Sequence, residues 1–280
     1  MLSIFIMYSP DREFILKRTI SRLSAMSGYP KCQKILLVDT FTEWCPKDWG
    51  VVQVPRIGMD FCWGRMWDAG VGSARFEKLV YLDSDRLLPD NFLDLMAETI
   101  QDQRFVSTSK HFMLTGNLED PDLQTFLRTP VKEGLIIENP FVSNLKFEPC
   151  MMMPVHGPGK NVMSGCTGFT RSTYINLGGM DHWYRGHGAF ADTDFHQQAA
   201  LGGCDFFDLD IPEIHISHSK LEYGHALDPM TLRRMGLDNF IYYCLKWSQP
   251  IKLAEALAKR CGVFKPHQYI EQKVKEFSQG

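Results

Sequence analysis

The feature that most constrains the fold is an alternation of apolar runs and amphipathic stretches over the first hundred residues. The apolar runs are predicted strands, and the stretches between them have helical spacing. This order is typical of βαβ units around a mainly parallel sheet. The predicted strands are residues 3–8, 34–39, 51–54 and 78–83, and the predicted helices are residues 11–26, 66–76 and 91–100.

Two of these strands end in a carboxylate, at Asp39 and at Asp83. Open α/β sheets bind ligands outside the carboxyl ends of their strands, so we expect both side chains to face one site. The sequence therefore predicts an α/β protein with a mainly parallel central sheet, flanking helices and a ligand site at one edge of that sheet.

The composition is that of an ordinary globular protein, with 44% hydrophobic and 22% charged residues among 280. A net charge of −3 argues against a broad contact with nucleic acid or anionic lipid, although it is compatible with a local basic groove. The N-terminal apolar run is too short for a signal peptide or a membrane span. Eight scattered cysteines without a Cys-x-x-Cys pair favour reduced thiols and a cytoplasmic location over a disulfide set.

The strongest local motif is Asp83-Ser84-Asp85, where a predicted strand delivers two carboxylates one residue apart. Carboxylate oxygens at a strand end suit the divalent cation that accompanies a pyrophosphate. The Asp-x-Asp spacing alone is weak evidence, because it recurs at residues 120–122, 192–194 and 208–210. A solvated turn after a strand is the alternative interpretation.

The segment 64–70 followed by residues 79–89 resembles family 2 glycosyltransferases, in which an Arg-Asn-x-Gly helix precedes a Leu-Asp-x-Asp strand end. Asp68 stands where that pattern usually has Asn, and Arg65 is shifted by one residue. The opening strand, which ends at Tyr8, and the strand before Asp39 also resemble this family. The resemblance implies a GT-A (Rossmann-like) fold. The nucleotide-sugar-binding residues that it implies are Tyr8, Asp39, Arg65, Asp68, Asp83, Ser84 and Asp85.

A second block, residues 165–195, is similar to the C-terminal segment of the β-1,4-galactosyltransferase group. The similarity implies Asp192 as general base, with Asp194 as second choice. Ala191 replaces the Glu of that group's Glu-Asp pair. The implied acceptor-side residues are Gly179, Met180, Asp181 and Trp183; for Trp183, packing in the core is an equal alternative.

A third block, residues 214–219, resembles the Met-x-x-His-Ser end of the same group, in which these side chains complete a metal shell. His218 takes the histidine position and His215 the methionine position. The implied metal ligands are therefore Asp83, Asp85, His215 and His218, a set that suits Mn2+ and does not exclude Mg2+. A surface pair of histidines is the alternative for His215 and His218.

These blocks divide the chain into a nucleotide-sugar-binding half at residues 1–110, an irregular, proline-interrupted insertion or lid at 111–160, an acceptor and catalytic segment at 161–220, and a helical extension at 221–280. The resemblance covers ordered blocks within roughly residues 1–220, and it leaves the middle segment and the tail unmatched. The helical extension has an amphipathic pattern that can touch a membrane surface around residues 252–275.

The implied function is a metal-dependent transfer of a sugar from a nucleotide-diphosphate donor, expected to be a UDP-sugar, to an acceptor hydroxyl with inversion. The acceptor can be a glycan, a lipid-linked sugar, a protein or a modified nucleic-acid base. One alternative is a binding protein without turnover, which Ala191 motivates. A sugar nucleotidyltransferase is the other alternative, but the first strand lacks the Gly-rich loop that opens those enzymes.

Overall fold

The fold is taken from a computed structural model of the protein. The structure describes residues 1–8, 12–39, 44–56, 61–108, 110–114, 121–128, 145–147, 165–186, 190–209, 211–216 and 229–278. The strands in these residues are β1 Leu2–Tyr8, β2 Gln33–Val38, β3 Gly50–Gln53, β4 Lys78–Leu82, β5 Arg86–Leu87, β6 Arg104–Ser107, β7 Lys110–Leu114, β8 Leu145–Phe147, β9 Cys166–Thr170, β10 Asp205–Asp208 and β11 Pro212–Ile216. The helices are α1 Glu13–Ser24, α2 Trp63–Ser73, α3 Phe92–Thr99, α4 Pro121–Arg128, α5 Arg171–Asn176, α6 Ala191–Leu201, α7 Pro229–Lys246, α8 Lys252–Arg260 and α9 Pro266–Ser278.

The central sheet has seven strands in the order β10-β6-β9-β4-β1-β2-β3. Strands β1, β2, β3 and β4 pair in parallel, and so do β6 and β10. Strand β9 runs antiparallel to both of its neighbours, β4 and β6. Six strands therefore point in one direction, which confirms the predicted mainly parallel sheet.

Strand β1 is buried on both faces of this sheet. Its side chains alternate between two cores, because successive residues of a strand point to opposite faces. Ile4 and Ile6 pack in the core that contains Leu16 of α1 and Phe92 of α3. Phe5 packs in the opposite core with Trp67 of α2, which is a core residue as its helical position predicts.

In the described residues, a second, smaller sheet has four strands in the order β5-β11-β7-β8. Strands β7 and β8 and helix α4 fall almost entirely within residues 111–160, which the sequence predicted to be irregular. Strand β7 pairs in parallel with β11, about a hundred residues further along the chain. Because β7 is stabilised by this distant partner, local periodicity does not reveal it. The four-part division of the chain stays a prediction.

Over residues 229–278, which the structure describes, the predicted helical extension is confirmed as the three helices α7, α8 and α9. They have a core of their own, which contains Leu237, Ile241, Ala254, Ala258 and Ile270. None of the helices in the described part of the chain is long and apolar enough to cross a membrane.

Candidate functional site

The carboxyl ends of the four adjacent parallel strands lie at the same edge of the central sheet. Tyr8, the last residue of β1, is in register with Val38 of β2, and Val38 is in register with Gln53 of β3. Ile6 of β1 is in register with Leu82, the last residue of β4. The residues that follow these strands, including Asp39 and the Asp83–Asp85 turn, are therefore brought to one edge, as the sequence predicted.

Asp85 is the most buried residue of the Asp83–Asp85 turn, with 3% of its surface exposed. Arg12 Nη1, from the segment before α1, lies 3.2 Å from Asp85 Oδ2. His215 Nε2, from β11, lies 3.4 Å from the same oxygen. Two of the predicted metal ligands, Asp85 and His215, are thus neighbours although they are 130 residues apart in sequence.

Arg86 lies among three carboxylates. Its Nη2 donates to Asp83 Oδ2 at 2.9 Å, and its Nε lies 3.0 Å from Asp85 Oδ1 and 3.1 Å from Glu213 Oε1. Glu213 is fully buried in β11 and accepts a hydrogen bond from Thr108, which follows β6. The guanidinium offsets the repulsion among these carboxylates, which would otherwise be costly in a buried site.

Asp83 is also hydrogen-bonded, on its other oxygen, to the hydroxyl of Tyr81, which donates. Burial raises the pKa of Asp83 to about 6, against the opposing effect of Arg86, and the charge of Asp85 adds to the increase. The three carboxylates hold the pKa of Arg86 above its ordinary value in spite of burial. Arg86 is therefore a permanent cation of the site.

Two other residues that were predicted to bind the nucleotide sugar, Ser84 and Tyr8, lie at the same edge of the sheet. The backbone carbonyl of Ser84 accepts a hydrogen bond of 2.8 Å from Thr19 of α1, which fixes the turn against that helix. The Tyr8 hydroxyl donates to Glu13 Oε2 at 3.2 Å, and its ring lies 5.5 Å from that of Trp44. Both Ser84 and Tyr8 are buried and support the edge of the sheet.

A pocket opens beside Asp39, at the carboxyl ends of β2 and β3. Arg56 Nε donates to Asp39 Oδ2 at 2.7 Å, whereas Asp39 Oδ1 is buried and has no hydrogen-bond partner among the described residues. Arg65 donates to the Pro55 carbonyl at 2.9 Å. The pocket thus combines two cations with a buried acceptor. It is lined by Asp39, Val54, Pro55, Arg56, Phe61, Cys62, Arg65 and Met66.

Asp68 faces the second block rather than this pocket. Its Oδ1 accepts a hydrogen bond of 2.6 Å from the Tyr174 hydroxyl, and its Oδ2 lies 2.6 Å from His182 Nε2. The Tyr174 hydroxyl accepts in turn from the backbone N–H of Met180 at 3.1 Å. Asp68 thereby connects α2 to the predicted acceptor-side loop, which also contains Gly179 in a left-handed conformation with φ of 75°.

The two candidate bases on α6 have different environments. Asp192, in the first turn of the helix, is half-buried. Asp194 is fully buried: its Oδ1 accepts from Trp247 Nε1 at 2.6 Å and from the Tyr184 hydroxyl at 3.0 Å. Its Oδ2 accepts from Lys246 Nζ at 2.8 Å. Burial raises the pKa of Asp194 above its ordinary value, and these three donors oppose the increase.

Lys246, at the end of α7, also binds Asp181 of the acceptor-side loop, with Nζ 2.8 Å from Asp181 Oδ2. The Tyr242 hydroxyl donates to the same oxygen at 2.9 Å. Burial would raise the pKa of Asp181, but the bonds from Lys246 and its neighbours outweigh burial and lower it. Trp183 stacks on Tyr242 at 4.1 Å and meets the edge of Phe277 at 4.6 Å. The helical extension therefore holds this loop in place.

Of the four predicted metal ligands, Asp83, Asp85 and His215 lie within the described residues, and His218 lies outside them. Both oxygens of Asp83 are bonded within the protein, to Tyr81 and to Arg86. No group of three or more His, Cys, Asp and Glu side chains in the described part of the chain is arranged to hold a metal ion. The separation of 3.4 Å between Asp85 Oδ2 and His215 Nε2 nevertheless lets one cation contact both, since such ligands lie about 2.0–2.2 Å from a metal. These two donors fit a divalent cation.

Several charged residues that the sequence did not predict surround the predicted ones. Arg86 directly follows the Asp-x-Asp motif, and Glu213 is a carboxylate within the apolar run 211–216, so both had a local signal. Arg12, Arg56 and Lys246 had none, because only the tertiary structure brings them to the site.

No protein-family model and no curated protein matches the sequence. Solved structures do match. The mannosyltransferase PcManGT from Pyrobaculum calidifontis, in complex with GDP-Man and Mn2+, matches over 99% of this chain and 73% of its own, at 13% identity and a TM-score of 0.53. TarS from S. aureus, in complex with UDP-GlcNAc, matches over 95% of this chain and 72% of its own, at 10% identity and a TM-score of 0.50.

GalNAc-T7 with UDP, GalNAc and Mn2+ matches over all of this chain at 12% identity and a TM-score of 0.56. This chain spans 58% of the length of GalNAc-T7. The protein therefore has the GT-A fold that the sequence resemblance implied. At these identities the likeness concerns the fold alone.

Proposed function

We propose that the protein is a glycosyltransferase that takes a sugar from a nucleotide-diphosphate donor, with UDP as the nucleotide, and transfers it to an acceptor hydroxyl. The observation that carries the proposal is the convergence, at one edge of a GT-A sheet, of the Asp83–Asp85 turn, His215 and the pocket at Asp39. Ligands of open α/β sheets bind at this edge.

The Asp39 pocket is the proposed nucleoside site. Asp39 Oδ1 is buried without a partner among the described residues, and such an acceptor costs free energy until a donor reaches it. A ribose hydroxyl or the N–H of a uracil ring can supply that donor. Arg56 and Arg65 at the pocket provide positive charge for the adjoining pyrophosphate.

Asp85 and His215 are the proposed ligands of Mn2+ or Mg2+, with Asp83 and His218 as further predicted ligands. A divalent cation held there would supply positive charge next to the diphosphate of the donor. Arg12 and Arg86 lie within ion-pair distance of the Asp85 carboxylate and hold it in place. Both arginines also counter the negative charge that the leaving nucleotide develops.

Asp192 is the proposed general base, because it is half-buried at the start of α6, whereas Asp194 is enclosed by Lys246, Trp247 and Tyr184. A base must reach the proton that it removes. Asp192 would take the proton of the acceptor hydroxyl as that oxygen attacks the sugar from the face opposite to the nucleotide. This single displacement inverts the anomeric configuration.

The first experiment is nucleotide binding, measured as thermal stabilisation with UDP, GDP and their sugars, each with and without Mn2+. A ligand at a hundred times its Kd stabilises the folded state by about 2.7 kcal/mol. We expect UDP with Mn2+ to stabilise the native chain, Asp39→Asn to weaken this effect and His215→Asn to remove its dependence on Mn2+. The control is Asp205→Asn, whose carboxylate is half-exposed on β10. Absence of stabilisation by every nucleotide would contradict the proposal.

Turnover is tested separately. We expect Asp192→Asn to retain nucleotide binding and to lose transfer or hydrolysis of the donor. NMR of the product reports its anomeric configuration, and retention would contradict the single displacement. Binding of a nucleotide sugar by the native chain with no turnover of any donor would instead favour the binding protein without turnover.

A further inference from the structure

The helical unit formed by α7, α8 and α9 differs in charge from the rest of the protein. Residues 229–280 contain nine Lys and Arg and four Asp and Glu, a net charge of +5. The remaining residues contain 21 basic and 29 acidic side chains, a net charge of −8. The small net charge of the whole chain therefore conceals two parts of opposite charge, a cationic helical unit and an acidic remainder.

One end of this unit brings the start of α7 against the turn between α8 and α9. The thiol of Cys261, at the end of α8, lies 3.5 Å from the carbonyl oxygen of Arg233 in α7. A Cβ placed on Gly262 would lie 3.0 Å from Met230 Cε. Residues close to 230–234 and to 259–265 therefore share one surface, which we call the basic end.

The basic end exposes both cations and apolar side chains. Phe264 is 87% exposed, the highest value among the large hydrophobic side chains of the described residues, and Met230 is 37% exposed. Lys265 Nζ lies 6.0 Å from the centre of the Phe264 ring. The exposed cations of the basic end are Arg233, Arg234, Lys259, Arg260 and Lys265.

The carboxylates of the helical unit are engaged elsewhere. Asp238 accepts from the Tyr269 hydroxyl and lies 3.4 Å from Lys273, which also pairs with Glu276 at 2.9 Å. Glu255 and Glu271 both flank His267, at 3.4 and 3.2 Å. In the described part of the chain, no ion pair joins a carboxylate to the five cations of the basic end.

We propose that the basic end docks on an anionic membrane surface, with Phe264 inserted at the level of the headgroups. An exposed aromatic side chain next to Lys265, on a surface with four more exposed cations, matches the two attractions of such a membrane, apolar burial and anionic charge. Phe264 projects from a turn instead of lining a groove for an unstacked base, which favours lipid over nucleic acid. This inference is independent of the proposed transferase activity.

Sedimentation with lipid vesicles tests the docking. The probes are phosphatidylcholine vesicles and vesicles in which about one third of the lipid is phosphatidylserine. We expect the native chain to bind only the anionic vesicles, and less as salt rises. The loss of two cations in Lys259→Glu/Arg260→Glu should lower binding at least about 25-fold, at about fivefold for each cation. Phe264→Ser should lower binding at both low and high salt.

Matched controls are available outside the helical unit. Lys31→Glu/Arg75→Glu reverses two exposed cations, and Ile175→Ser removes a side chain that is 61% exposed. We expect both controls to bind anionic vesicles like the native chain, and thermal melting confirms that each variant is folded.

Three results would overturn the inference. They are equal binding of the native chain to neutral and anionic vesicles, an equal loss of binding in the controls, and binding to RNA or duplex DNA without binding to vesicles.

Discussion

Among the described residues, Lys246 is the single cation that bonds to both Asp194 and Asp181, so its replacement is an informative perturbation of the acceptor-side structure. Lys246→Met keeps most of the apolar stem of the side chain and removes the ammonium group. Asp194, whose side chain has no exposed surface, then keeps Tyr184 and Trp247 as donors and loses its only charged partner among the described residues.

The expected cost follows from that burial. Removing one partner of a buried ion pair typically costs about 3–5 kcal/mol. The Lys246 side chain is 26% exposed and two donors to Asp194 remain, so we expect a loss of about 2–3 kcal/mol in the free energy of unfolding. Lys273→Met is a matched control, because Lys273 is 22% exposed and its partners Glu276 and Asp238 are 43% and 26% exposed, in contrast to the fully buried Asp194. For this control we expect a loss below about 1 kcal/mol.

Urea unfolding of the two variants measures these losses. A double-mutant cycle with Asp194→Asn isolates the coupling between Lys246 and Asp194, because the amide keeps the shape of the carboxylate and removes its charge. We expect a coupling energy of at least about 1.5 kcal/mol, at the lower bound for a hydrogen bond to a charged group. Equal, small losses for Lys246→Met and Lys273→Met, with no coupling to Asp194, would refute the argument.

The pH dependence of the stability of Lys246→Met tests the direction in which the pKa of Asp194 is shifted. Burial raises the pKa of Asp194, and Lys246 opposes that increase, so the pKa rises further in the variant. A carboxyl group with a raised pKa binds its proton more tightly in the folded state, so its stability contribution falls as the pH rises through that window. The destabilisation by Lys246→Met should therefore be larger at about pH 8 than at about pH 5.

Two further predictions concern the core. Gly70→Ala in α2 should destabilise the protein by about 1–3 kcal/mol in urea unfolding, because the new Cβ would lie 2.8 Å from the ring of Phe5. Gly72→Ala in the same helix, with nothing within 4 Å, should stabilise it by about 0.4–1 kcal/mol, and the reverse order would contradict the packing. Burial lowers the pKa of His196 to about 4. The unfolded state therefore binds the proton more tightly than the folded state, and the protein should lose stability as the pH falls from about 6.5 towards about 4. His196→Phe should reduce that loss, and an unchanged difference between unfolding at about pH 7 and about pH 4.5 would show that another group causes it.

The sequence alone was sufficient to predict which residues lie at the edge of the sheet, because the patterns that indicate strands are local. Apolar runs give the strands, and the residue that follows a buried strand lies at its end, which places Asp39 and Asp83 at one edge. The neighbouring positions of Asp85 and His215 agree with the resemblance, since the metal role implied for both requires them to meet. The roles of these residues stay predictions.

The rest of the site depends on contacts between distant segments. Whether Asp192 or Asp194 is accessible is decided partly by Lys246, which lies 52 residues beyond Asp194. Glu213 meets Arg86 only because β11 pairs with β5. No periodicity in one segment contains such information, which explains why the predicted site lacked its surrounding cations.

The contact between Trp183 and Phe277 has a consequence for synthesis on the ribosome. Strands β1, β2 and β4 can pair after fewer than a hundred residues have emerged, because their partners are close in sequence. The loop at Trp183 is packed by Tyr242 of α7 and by Phe277 of α9, which follow it by 59 and 94 residues. Since chains fold from the N-terminus as they are made, the half of the protein with the Asp39 pocket should be assembled first. A nascent chain released before residue 242 would then carry a formed Asp39 pocket beside an unsupported acceptor-side loop.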